Sequence, residues 1–101
     1  MKLIVTTTTK DNAPLLVEQM LTDKMVACGN ILDVSMSIYK WKGEVCREPE
    51  ALVLMETSDD KILLAIEHLS SIHPYETPKI LTIEPTMIHA AYNLWVSEET
   101  K

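Results

Sequence analysis

The sequence predicts an α+β domain whose elements run β-α-β-β-α-β, closed by an additional C-terminal helix. Three observations carry this. β-branched or alternating segments recur at 2–8, 30–41, 44–57 and 79–84. Apolar residues at helical spacing fill the stretches 12–26 and 58–72. Only Lys42 and Gly43 separate the two middle strands, so these must pair as one long hairpin. That order is the ferredoxin-like split βαβ arrangement, an antiparallel sheet with two helices on one face.

Residues 2–8 (KLIVTTT) are rich in β-branched side chains, which favour a strand. Asp11 or Asn12 can cap the first helix, and Pro14 is tolerated in its first turn. Leu16, Val17, Met20, Leu21 and the Met25/Val26 end place one apolar face over 12–26. In 30–41, Ile31 starts an alternation with which Val34 falls out of step. Met36, Ile38 and Lys40 then oppose Ser35, Ser37, Tyr39 and Trp41, predicting a kink near Asp33. Gly43 is the turn residue free to take positive φ. Pro49 cannot donate to a ladder, so it marks an edge position or a bulge.

Ser58-Asp59-Asp60 offers a cap and an acidic first turn to the second helix. Its predicted buried stripe is Ile62, Leu63, Ala65, Ile66 and Leu69. Pro74 forces the preceding residue out of the helical region and ends this helix at or before His73. A final helix is expected over 86–97, carrying Ile88, Ala91, Tyr92 and Trp95. Met20, Met25, Met36 and Met55 fall on expected core faces, too scattered for a methionine-rich copper(I) motif.

The 101 residues suit a single domain, 1–101. At 47% hydrophobic the chain holds more apolar surface than so small a core needs, which predicts self-association. Net charge is −6 with one arginine, Arg47, so no basic patch exists for nucleic acid. Cys28 and Cys46 have no CxxC spacing and read as free thiols. Nothing approaches a membrane span or a signal-peptide core, so a soluble, cytoplasmic protein is expected. Gly29 and Gly43 are the only glycines, which excludes glycine-rich phosphate loops and nucleophile elbows.

The segment HPYETP, 73–78, has two readings. His73 can hydrogen-bond the last helical carbonyls, with Pro74 and Pro78 stiffening a joint. Alternatively, the stiff loop presents His73, Tyr75 and Glu76 as a small polar pocket. As a metal ligand, His73 would need two or three partners. Glu76, Glu50, His68, His89 and Cys28 are the available types, without the spacing of a dedicated site, so only weak binding of Cu or Zn is expected. Tyr39 and Trp41 point the same way from their strand and suit ligand stacking or interface packing. A hydrolase built on His73 with Glu50 or Cys28 is the least favoured reading, since nothing local lowers a thiol pKa.

The run AC-x-N at 27–30, Y-x-W-x-G at 39–43, Glu50, HPY-x-x-P at 73–78 and the closing Tyr92 and Trp95 resemble the CutA-like divalent-cation tolerance family. The resemblance spans essentially the whole chain. It implies a homotrimer related in architecture to PII signalling proteins, with long hairpins reaching onto neighbouring subunits. It also implies a role in copper and divalent-cation tolerance, with no required cofactor and no established enzymatic reaction. The pocket residues it points to are Tyr39, Trp41, Glu50, His73, Tyr75 and Glu76, set at a subunit boundary, with Cys28, Tyr92 and Trp95 in core or interface. Val5 and Ile72 stand where copper-binding members carry cysteine and a second histidine. Glu56 replaces a common lysine, and Gly29 a usual valine.

Overall fold

In the computed structural model, which describes residues 1–101, Lys2–Thr8 form β1 at the heart of a four-stranded sheet. β1 pairs antiparallel with β3 (Glu44–Thr57) on one side and β4 (Ile80–Ile83) on the other. β2 (Cys28–Trp41) pairs with β3, giving the order β2-β3-β1-β4. The β-branched run of β1 therefore fills a strand covered on both sides.

The helices α1 (Asn12–Thr22) and α2 (Ile62–Ile72) lie on one face of this sheet. Ile4, Ala51, Val53 and Met55 point to that face and meet Ala13, Leu16, Val17, Met20, Ala65 and Leu69 in one apolar core. Gly29 is required where α1 crosses β2: a Cβ there would stand 2.5 Å from Val17 Cγ1. A larger residue fits this close approach only if the Val17 side chain or α1 shifts.

Several boundaries differ from the sequence expectation. α1 stops at Thr22 rather than running to 26. Lys24 takes φ 59°, and the amides of Asp23, Lys24 and Met25 return to carbonyls of the last turn. Val26 is buried beyond this turn, whereas Leu21 is exposed. The side chains of Ser58, Asp59 and Asp60 do not cap α2; Lys61 holds the cap position without a side-chain bond. Asp59 instead accepts from the N-terminal ammonium and from Lys2 Nζ, each at 2.9 Å. Leu63, assigned to the buried stripe, is 80% exposed because it lies outside the face that Ala65 and Leu69 press on the sheet. The last helix, α3 (Ala90–Glu99), starts four residues later than expected and buries Val96 fully.

The hairpin is 14 residues per strand, and the molecule measures 44 × 25 × 21 Å. Both turn residues have positive φ, Lys42 at 50° and Gly43 at 83°, so the lysine shares the conformation that the sequence reserved for glycine. Two successive positive values are what a tight hairpin turn needs to match strand twist. The irregularity in β2 falls between Val34 and Ser37, not at Asp33: Ser35 and Met36 together oppose Pro49. This bulge explains why Val34 breaks the alternation. Pro49 sits just past Ala51, the last β3 residue that β1 pairs, so its missing N–H leaves no gap in the central ladder. Met36, expected in the core, is exposed because it lies in the bulge, beyond the reach of the helices.

The second face of the sheet carries Leu3, Val5 and Thr7 of β1 with Glu50, Leu52, Leu54 and Glu56 of β3. α3 covers its Glu56 end, where the Tyr92 hydroxyl donates to Glu56 Oε1 at 3.3 Å. Leu32, Leu81 and Ile83 on this face remain exposed.

Candidate functional site

The other end of that second face forms a cleft of ≈ 760 Å³ between the hairpin and the segment after α2. Val34, Ser37, Tyr39 and Trp41 oppose Glu50, Glu48, Cys46 and Glu44, so the bulge keeps Val34 on the face shared by Tyr39 and Trp41. Tyr39, Trp41, Glu50, Tyr75 and Glu76 all line the cleft. His73, the sixth expected member, stands behind it, with its ring 5.0 Å from that of Tyr75.

His73 ends α2 in the extended conformation (φ −71°, ψ 135°) that a following proline imposes. The Tyr75 amide donates to its Nδ1 at 3.1 Å, so the ring proton sits on Nε2. That proton points to the Thr7 carbonyl at 3.0 Å, with the Thr6 hydroxyl oxygen equally near. Burial holds the imidazole below its ordinary pKa, against the opposing pull of the Thr7 carbonyl and the Glu50 charge. A neutral histidine thus pins the loop to β1.

Tyr75, fixed through that amide, reaches Glu50 and donates its hydroxyl to Oε2 at 2.6 Å. Burial first, then the bond to Glu50, push the phenol pKa upward. Across the cleft, the Tyr39 hydroxyl donates to Glu48, and that bond raises Tyr39 to about 12. Glu48 was not among the sequence candidates. Two residues from Glu50 on one strand, it must share that residue's face, and strand periodicity alone would have found it. Lys79 and Lys40 also reach the lining.

At the far end of the same face, Cys28 is half-buried opposite Glu56, and its thiol neighbours the Tyr92 hydroxyl. Burial, followed by the Glu56 charge, raises Tyr92 to about 12. Glu56 Oε2 is enclosed without a hydrogen-bond partner, and burial raises the Glu56 pKa. Trp95, 5.5 Å from Tyr92 between ring centres, is 41% exposed.

A copper or zinc centre needs three or four nitrogen, sulfur or carboxylate ligands. Within one chain, no three His, Cys, Asp or Glu side chains converge. His68 pairs with Asp23 at 2.7 Å, away from the cleft, and both ring nitrogens of His73 are engaged. The residues of a single chain do not fit a dedicated metal centre.

The antiparallel order, the helices on one face and the cleft at the hairpin base define a ferredoxin-like α+β protein. The family model described as CutA1 divalent ion tolerance protein matches residues 1–99, and the chain belongs to that family. A Xenopus laevis protein, "Protein CutA homolog", is 33% identical over 92 residues, covering 91% of this chain and 58% of that protein. The chain thus spans little more than half the length of that relative. The crystal structure of divalent ion tolerance protein CutA1 from Ehrlichia chaffeensis superposes with a TM-score of 0.93 at 34% identity, covering 99% and 94% of the two chains. The PII-like protein CutA from Nostoc sp. PCC 7120, in apo form, gives 0.94 at 32%, covering 100% and 98%. No helix is long and apolar enough to cross a membrane.

Proposed function

We propose that this chain acts as a homotrimer in the response to divalent cations, copper among them. It catalyses no reaction, and the cleft rather than a dedicated metal centre is where a ligand sets its state. The carrying observation is the gathering of Tyr39, Trp41, Glu50, Tyr75 and Glu76 around one cleft, with His73 locked behind them. A histidine that spends both nitrogens on the backbone is poorly placed as a base or a strong ligand. No cofactor is required, and Cu or Zn associates weakly, through exposed carboxylates or a displaced His73 ring. The exposed Leu32, Leu81 and Ile83 on the sheet, with Ile38 and Val45 on the hairpin, support assembly, because copies wrapped around one another would cover them. The unpaired cysteines suit a reducing, cytoplasmic setting.

Small-molecule sensing in the manner of PII-like proteins is the second reading, favoured by the cleft volume and by the likeness to the Nostoc protein. Sedimentation of tag-free protein tests the assembly, and a folded single chain at working concentration removes it. Calorimetry with Cu(II) and Zn(II) tests the metal part. Tight, stoichiometric binding abolished by His73→Ala would overturn the weak-binding reading. Melting of the protein against a panel of metabolites and nucleotides tests the cleft, and a flat response counts against it.

A further inference from the structure

Glu50 is 5% exposed, an unusual place for a carboxylate without a counter-charge. Its Oε2 accepts the Tyr75 hydroxyl, while its Oε1 takes no hydrogen bond from the chain. Glu56 Oε2 is the only fully enclosed side-chain polar atom lacking a partner. Glu50 Oε1 is therefore not fully enclosed, and Glu50 lines the cleft. Glu48 and Glu76 line the same space, and none of the three carboxylates joins an ion pair. Three carboxylates facing one cleft without a cationic partner favour a cation there.

The walls point to the same ligand charge. Tyr39 and Tyr75 both spend their hydroxyl protons on carboxylates, so neither has a donor left for an anion. Trp41 carries the Lys42 ammonium 5.9 Å from its ring centre, so this indole already meets a cation. A bare metal ion suits the space poorly, since no three ligating groups converge on a point. A volume of ≈ 760 Å³ suits an organic molecule.

We propose that the cleft binds a small organic ammonium compound, its cationic nitrogen on Glu50 Oε1 and against the faces of Trp41 and Tyr75. Lys40 and Lys79, which also line the cleft, meet an anionic tail where the ligand has one. This rests on the cleft being the ligand site and adds the chemistry of the ligand.

The test is calorimetric titration of the full chain with choline, with glycine betaine and with 3,3-dimethylbutan-1-ol, the neutral isostere of choline. Indole fluorescence is followed in parallel in a Trp95→Phe background, where Trp41 is the remaining tryptophan. Choline and betaine bind saturably and quench Trp41, whereas the alcohol does neither. Tighter binding of betaine than of choline marks a contribution from Lys40 and Lys79. Glu50→Gln weakens choline binding about tenfold or more. The comparison of choline with its isostere needs no variant, so the proposal stays testable if Glu50→Gln does not fold. Equal binding of the isostere, or unchanged choline binding by a folded Glu50→Gln protein, overturns the ammonium assignment. So does Zn(II) binding abolished by Glu50→Gln with choline silent. Silence of all three probes overturns it as well, while a metabolite that shifts melting would leave the cleft itself standing as a site.

Discussion

The Tyr75 hydroxyl lies 2.6 Å from Glu50 Oε2, joining the loop after α2 to the base of the hairpin across 25 residues of chain. No backbone ladder links these two parts, so this bond closes one wall of the cleft.

Tyr75→Phe removes that bond and leaves Glu50 buried with neither oxygen satisfied. Hydrogen bonds to charged groups contribute more than neutral ones, so a loss of about 1–2 kcal/mol is expected. Urea unfolding at fixed chain concentration measures it, because assembly makes apparent stability concentration-dependent.

His73→Ala strips partners from the Tyr75 amide, the Thr7 carbonyl and the Thr6 hydroxyl together, at an expected cost of about 1–3 kcal/mol. The wild-type protein should feel the same clamp through pH. The folded-state imidazole pKa is depressed, so the unfolded chain binds the proton more readily. The stabilisation is present above the ordinary value of 6.5 and is lost as pH falls below it. The slope of stability against pH in that window should flatten in His73→Gln.

Glu56 carries the opposite sign. Burial raises its folded-state pKa, so ionisation is penalised in the native state and stability declines as pH rises through that pKa. Glu56→Gln places an amide where Oε2 has no partner and carries no charge. It should stabilise the neutral-pH protein by up to about 1 kcal/mol, with the gain vanishing in acid, where Glu56 is protonated. Thermal unfolding of both proteins across the acid-to-neutral range reads this crossover.

Gly29→Val should destabilise by about 1–3 kcal/mol through overpacking against α1, since the new Cβ meets Val17 at 2.5 Å. Val17→Ala in the same chain should recover part of that loss. A double-mutant cycle giving no coupling between the two positions would contradict the packing assigned here.

Most of the fold was legible because local rules and tertiary context agreed. β1 needed only its β-branched run, the hairpin its two-residue turn, and the end of α2 its Pro74. The failures share a cause in competition for side chains. Asp59 looks like a cap until the N-terminus and Lys2 arrive from β1 to claim it, lowering its pKa to about 2. Leu63 fits a helical stripe, but no element stands where it points. For the cleft, the motif residues of the two segments named its walls, and five of the six expected side chains line it. The inward turn of the His73 nitrogens onto β1 was not readable, because it depends on where Thr6 and Thr7 lie relative to a loop 66 residues away. The isolation of Glu56 Oε2 depends in the same way on the docking of α3.

The bulge at Ser35 and Met36 has a consequence for how this cleft can diversify. Removing one of those residues would leave Tyr39 opposite Cys46 and Trp41 opposite Glu44, yet would take out the local bend that the unpaired residue introduces. The arm would straighten and shift both aromatics relative to Tyr75 without any lining side chain being exchanged. At this spot the count of residues, not their identity, governs how wide the binding space stands, so a single-codon deletion could retune it.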